Sequence, residues 1–303
     1  MSGNHSSRKA VLLSLSANAG IAATKAVGAF YTGSGSMYAE AIHSFADCGN
    51  QALLLVGMKR SNRAATSQNP MGYAREAYFW AMMVAVLMFF MGGLFSLYEG
   101  MERILHPQPV QYTGVAVVIL AIAVALEWMS LRGALAALKP ERGGKSLWQW
   151  FKETRSSELL VVTGEDIAAL LGLAFALVAL LLTMLTGNPV FDALGSTLVG
   201  ILLILVAIAV TREILGLVIG EAADPAIEKS SIAIAARHGF AAYHSIALQH
   251  GHEVMLALKI EPLQSMTLEQ AMVTIVEIEK EIRKLHPECR WIFSEPGHTQ
   301  NTL

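Results

Sequence analysis

Over the first two thirds of the chain, apolar residues run on in long blocks with no alternation of apolar and polar positions. Six blocks, residues 11–31, 37–58, 77–98, 113–131, 159–185 and 190–217, are each long enough to cross about 30 Å of hydrocarbon as a helix. They are apolar nearly all round, as helices immersed in lipid are. The pattern changes after Glu221. Asp224 and Pro225 open a helix to about residue 238, and residues 241–250 and 253–261 alternate as two strands about a turn at Gly251. Residues 266–285 carry apolar side chains at helical spacing, and 290–294 read as a last short strand. The expected fold is an α-helical membrane protein: six transmembrane helices in residues 1–220, then a small cytoplasmic α+β domain of order α-β-β-α-β in 221–303.

Charge gives the orientation. Arg8 and Lys9 precede the first block; Lys59, Arg60, Arg63 and Arg75 follow the second; Arg132, Lys139, Arg142, Lys145, Lys152 and Arg155 follow the fourth. The opposite side holds Arg103 alone, so the excess of basic residues places both termini in the cytoplasm. The outer connections are turn-rich, Thr32 to Gly35 and Thr186 to Pro189. The first block follows a short basic patch, as a signal peptide does, but it stays apolar to Tyr31 and reads as the first span. With no organelle signal in view, the expected location is the inner (cytoplasmic) membrane. The basic loop from Lys139 to Ser157 carries Trp148, Trp150 and Phe151 and reads as an amphipathic segment at headgroup level.

The composition, 54% hydrophobic and 15% charged, is too apolar for a soluble protein of 303 residues, and a net charge of −2 gives nucleic acid no purchase. Cys48 and Cys289 lie far apart, one in a span and one in the tail, so no disulfide is expected.

The second block is the chemically active one, with Glu40, His43 and Asp47 in its first half. An ionisable side chain in hydrocarbon costs roughly 2.5–3.5 kcal/mol on insertion scales, so several on one helix need a partner or a purpose. His43 and Asp47, four residues apart, project from one face. They read either as a polar knot between helices or as a ligand pair for a tetrahedral divalent ion. Glu40 reads as a further ligand or as the ion-pair partner of Lys25 in the first block. Asn50 and Gln51 continue the same face, and line an access path or bond neighbouring helices. Glu127 reads as an interhelical hydrogen-bond acceptor, and the methionines as packing residues. In the fifth block Glu165 and Asp166 are about 100° apart, so the two cannot face one ligand in the same way. His244, His250, His252, His286 and His298 of the tail are candidates for regulatory metal without a defined cluster.

These residues occur in a larger pattern. Ala39, Glu40, His43, Ser44 and Asp47 in the second block are followed by Gly72, Tyr73, Arg75, Glu76, Tyr78, Phe79 and Trp80 opening the third. Ser96, Tyr98, Glu99 and Gly100 close the third, Asp192, Gly195 and Ser196 open the sixth, and the α-β-β-α-β tail follows. The chain resembles the cation diffusion facilitator family of divalent-metal transporters over nearly its whole length, in a branch with Glu-Asp in the fifth span. The resemblance implies six helices, a ferredoxin-like cytoplasmic domain and a homodimer. It also implies export of Zn²⁺, or of Mn²⁺, Fe²⁺, Co²⁺, Ni²⁺ or Cd²⁺, in exchange for protons. It matches His43 and Asp47 to the family's first ligand pair and Asp166 to the second carboxylate of the other. The remaining ligand position falls on Val162, which has no donor atom; a three-ligand site completed by water is consistent with Zn²⁺.

The expected function is therefore a secondary transporter, not an enzyme, with the metal as cargo and no cofactor. Metal binding displaces protons from imidazole and carboxylate, so a site facing each side in turn exchanges one for the other. A metal-sensing scaffold without transport is the alternative that Val162 supports; an intramembrane metal hydrolase lacks a general acid/base arrangement. Cysteines placed at Ser34 or Asn188 should react with an impermeant thiol reagent from outside intact cells, and one at Arg142 should not. Outside labelling at position 142 would overturn this orientation.

Overall fold

The computed structural model describes residues 2–32, 35–107 and 113–297. Long helices follow the apolar blocks: α1 Ser2–Thr32, α2 Gly35–Ser61, α3 Glu76–Leu87, α5 Thr113–Arg142, α7 Ser157–Thr186 and α8 Val190–Ile219. Helix α3 passes through a π-helical stretch, Met88–Leu94, into α4, Phe95–Leu105. Among the described residues, four stretches are long and apolar enough to cross a membrane: Glu76–Leu105, Gly114–Pro140, Ser157–Thr186 and Val190–Ile219. Val11–Val27 of α1 is a shorter apolar stretch, and the described part of α2 is too polar to join the four.

Two helices outrun their apolar blocks. Helix α5 continues eleven residues beyond Leu131 to Arg142, because the Ala- and Leu-rich segment that follows has high helix propensity and still packs Ala134 and Leu138 inward. The third block, read as ending at Tyr98, stays helical to Leu105 and stops ahead of His106 and Pro107, since a residue before proline avoids the helical region. In the basic loop, Ser146 caps α6, Leu147–Glu153, by accepting from the Gln149 amide at 3.2 Å. Trp150 of α6 is buried with Leu138 and Leu159, while Trp148 stays exposed.

Close approach joins the π-helical stretch and α4 to α8. A Cβ on Gly200 would fall 2.5 Å from the Leu97 nitrogen, and one on Gly100 2.6 Å from the Thr197 nitrogen, so these backbones nearly touch. At the Arg103 end, its guanidinium binds Glu99 at 2.6 Å and Asp192 at 3.0 Å. A shared apolar core, including Val11, Leu54, Tyr78, Ala134, Val162 and Val210, ties α1, α2, α3, α5, α7 and α8 together.

Beyond α8 the chain forms α9 (Pro225–Arg237), β1 (Phe240–His250), β2 (Glu253–Pro262), α10 (Leu268–Leu285) and β3 (Cys289–Pro296). Asp224 caps α9 through the Ala226 amide at 2.8 Å, and Thr267 with Gln270 forms a reciprocal capping box on α10. The sheet order is β1-β2-β3, with β1 and β2 antiparallel and β2 and β3 parallel. A parallel pair needs a long crossover, which α10 supplies. One sheet face, Val254, Leu256, Leu258 and Ile260, packs with Ile227 and Ile234 of α9 and Ile278 and Ile282 of α10.

The β1–β2 turn abuts the start of α3. The Tyr78 hydroxyl donates to the Gly251 carbonyl at 3.1 Å, and Arg155 donates to the Ala222 carbonyl at 2.9 Å and pairs with Glu221 at 3.0 Å. Gly251 has φ +65°, and a Cβ there would lie 2.3 Å from the Ala74 carbonyl oxygen. Only glycine meets both demands. Gly251→Val adds a left-handed penalty of about 1–2 kcal/mol to this collision. It should lower the melting temperature of the detergent-solubilised protein and speed proteolytic cutting between α8 and α9. Parent-like melting and cutting would show that the contact does not hold the tail.

Candidate metal centre

Asp47, Asn50 and Gln51 stand at i, i+3 and i+4 on α2 and so share a face. That face meets α7 at Glu165, which is 6% exposed. The Asn50 amide donates to Glu165 Oε1 at 3.2 Å, and the Gln51 amide donates to Oε2 at 3.0 Å. Gln51 in turn accepts from the Asn18 amide of α1 at 2.8 Å. The carboxylate is thus held by two donors one residue apart, and one line of side-chain hydrogen bonds ties α1, α2 and α7. In an apolar interior each of these polar groups would be costly alone; paired, they fix the rotation of three helices.

Asp47, Asn50 and Glu165 line a cavity of about 30 Å³, room for about one water molecule or small ion. The rest of its wall is Ala46, Leu87, Ala169, Leu203 and the π-helical Met88, Met91 and Gly92. An added residue in one helical turn shifts the facing side chains, and such turns are frequent where helices line functional sites. Oxygen donors from two helices therefore converge on a confined space with apolar surroundings.

Asp166 is not part of that lining. Turned about 100° from its neighbour, it accepts from the Ser130 hydroxyl of α5 at 3.0 Å and is 1% exposed. The expectation from the sequence put Asp166 beside Asp47 and turned Glu165 away. In the structure it is Glu165 that lines the cavity with Asp47, because the Asn50 and Gln51 amides take Glu165 as their acceptor while Ser130 takes Asp166. Val162 is fully buried in the apolar core. The side chains of Glu40 and His43 lie outside the described residues, and with them the expected Glu40–Lys25 pair; Lys25 itself is buried. Among the described residues, no three His, Cys, Asp or Glu side chains gather into a metal-binding group.

Glu127 is 5% exposed, and among the described residues its Oε2 has no hydrogen-bond partner. Asn50 and Gln51 both bond the neighbouring helix, and Asn50 lines the cavity as well. The sequence reading turned Glu165 away from Asp47 and did not anticipate the π-helical wall. Two adjacent amides below Asp47, in a span, were the signal for a carboxylate opposite.

The tail histidines are dispersed. His286 shares a hydrogen bond with Ser230 at 2.6 Å, His238 with Glu281 at 2.9 Å, and His252 stands 4.0 Å from Glu253; His298 lies outside the described residues. Burial, with the nearby Glu288 charge, pushes the Cys289 thiol up to about 11, so this free cysteine is a core residue with little thiolate.

Residues 11–217 match the cation efflux transmembrane domain. The chain belongs to the cation efflux, or cation diffusion facilitator, family. It is 41% identical over 175 residues to the proton-coupled zinc antiporter SLC30A9, mitochondrial, of Xenopus laevis, covering 57% of this chain and 31% of that protein. It is 33% identical over 188 residues to metal tolerance protein C4 of Arabidopsis thaliana, covering 61% and 41%. To the cadmium, cobalt and zinc/H(+)-K(+) antiporter of Bacillus velezensis it is 27% identical over 131 residues, covering 42% of each. The chain thus spans about a third of the length of the first of these relatives and less than half of the others. The family, like the apolar helices, makes this a multi-pass membrane protein.

Proposed function

We propose that this protein exports a divalent cation, Zn²⁺ as the first candidate, from the cytoplasm in exchange for protons. The observation that carries the reading is the joint lining of one small buried cavity by Asp47 of α2 and Glu165 of α7. Two carboxylates on different helices offer oxygen ligands in a place where an unneutralised charge is costly. In this reading His43, one turn before Asp47, supplies the nitrogen, and a water or the Asn50 oxygen completes a tetrahedral shell. Asp166, the carboxylate that the family resemblance assigned, is held on Ser130 and acts beside the site. Glu165 gives the fifth span a donor despite Val162, which removes the main support for a transport-inactive scaffold. The names of the Xenopus and Bacillus relatives, a zinc antiporter and a cadmium, cobalt and zinc antiporter, support both the cargo and the exchange.

The same reading has six spans, with α1 and α2 completing the four most apolar stretches, cytoplasmic termini, and an inner-membrane location. It also has a homodimer, formed through the sheet face turned away from α9 and α10. Ile246 and Phe293 are exposed there, flanking Ala257 across three paired strands. Phe293→Lys should convert the detergent-solubilised dimer to monomer in light scattering; an unchanged mass removes this face as the interface.

Zn²⁺ uptake into sealed proteoliposomes against a pH gradient tests the site. Asp47→Ala and Glu165→Gln should each reduce uptake by about a hundredfold or more while the protein remains folded, as loss of one charged ligand does. Asp166→Asn should keep a substantial rate. Because metal displaces protons, half-saturation should move to lower Zn²⁺ as pH rises. A dead Asp166→Asn beside an active Glu165→Gln would return the role to Asp166; uptake unaltered by all three would remove the site.

A further inference from the structure

A second cavity lies at the joint between the α2–α3 loop and the β1–β2 hairpin. It has a volume of about 480 Å³, within the usual range for small-molecule sites, and is lined by residues 68–73, Arg75 and Glu76 with His250. The loop is built rather than loose. The Thr66 amide donates to the Asn69 carbonyl and the Asn69 amide to the Thr66 hydroxyl, each at 3.1 Å, and the Gly72 amide donates to the Asn69 carbonyl at 3.0 Å.

Three arginines converge on this end of α3, and they are not equivalent. Arg60 and Arg63 face Glu76 at 2.6 and 3.9 Å, and Arg63 also sits 4.3 Å over the Tyr73 ring. Arg75 differs: its Nε is buried and, among the described residues, has no hydrogen-bond partner. His250, only 8% exposed, has the same defect at Nε2, while its ring also bonds the Met71 backbone. Two buried nitrogens without a hydrogen-bond partner among the described residues, one of them on a permanent cation, thus belong to side chains that line one open cavity. Unsatisfied buried polar groups are rare enough to call for a partner.

We propose that this cavity is an anion site that takes a phosphate group, with Arg75 Nε–H and the protonated His250 Nε2–H as its donors. A guanidinium edge and an imidazolium are well suited to phosphate oxygens. Its position at the foot of α3 admits two sources of that group: the headgroup of an anionic lipid, or a free phosphate or phosphate ester. The site is independent of the metal centre and does not rest on the transport reading.

The surroundings set a sign for pH. Burial and then the Arg75 charge lower the pKa of His250, Glu253 and the Met71 backbone bond raise it, and His252 lowers it; Tyr73 and Glu76 complete the facing groups. A bound anion offsets the Arg75 charge and favours the imidazolium. Binding therefore takes up a proton and strengthens as pH falls.

The test uses the full-length protein in uncharged detergent, titrated with inorganic phosphate. A parallel arm uses nanodiscs of phosphatidylcholine with or without phosphatidylglycerol. Binding is read by ³¹P NMR and by the shift in melting temperature. The expected result is a saturable response to one of these probes, stronger at about pH 5.5 than at about pH 7.5. It should weaken at least tenfold in both Arg75→Gln and His250→Gln and be unchanged in Arg132→Gln. A response to phosphate in detergent assigns the free anion; a response to phosphatidylglycerol alone assigns the lipid headgroup. If Arg75→Gln fails to fold, His250→Gln carries the comparison. No response to either probe, or an equal response in parent and His250→Gln, overturns the proposal.

Discussion

Carboxylates buried among apolar helices dictate this structure. Such a group is tolerated only when donors, cations or protons meet it, and Glu165 is met by two amides from α2. Those bonds set which face of α2 meets which face of α7, and the Asn18–Gln51 contact carries the constraint to α1. The cavity beside Asp47 exists because these polar groups hold the helices where apolar packing alone would close the gap. The fold and the site are consequences of the same few hydrogen bonds.

Much of this architecture was legible in the chain. The apolar blocks gave the long helices, and Asp224, Pro225, Gly251 and Thr267 marked the ends and turns of the tail, because caps and turns are local and depend on few neighbours. The ends of α4 and α5 were less legible: hydropathy reports what surrounds a helix, whereas propensity and proline decide where it stops. The π-helical Met88–Leu94 had no sequence signature beyond its glycine pair. Its backbone is shaped by the close passage of α8, a tertiary cause.

The site was half legible for a similar reason. Asp47 could be placed on a face because i, i+3 and i+4 relations are internal to α2. Choosing between Glu165 and Asp166 required the rotation of α7 against two other helices. A helical angle of 100° separates the two carboxylates, and their own helix does not favour one over the other. That rotation is set by Asn50 and Gln51 on one side and Ser130 on the other, each more than thirty positions in the chain from the carboxylate it meets. An adjacent acidic pair in a span is best resolved by asking which neighbouring helices carry unspent donors.

The two walls of the small cavity are held by different kinds of force. On the side of α2 and α7 the contact is a lattice of amide–carboxylate bonds, whose strength depends on charge. On the side of Met88–Leu94 and α8 it is the near-touching of backbones at Gly93 and Gly200, which depends only on volume. A change of charge at Glu165 therefore loosens or tightens one wall and leaves the other indifferent. The cavity has, in mechanical terms, a responsive jaw and a fixed one.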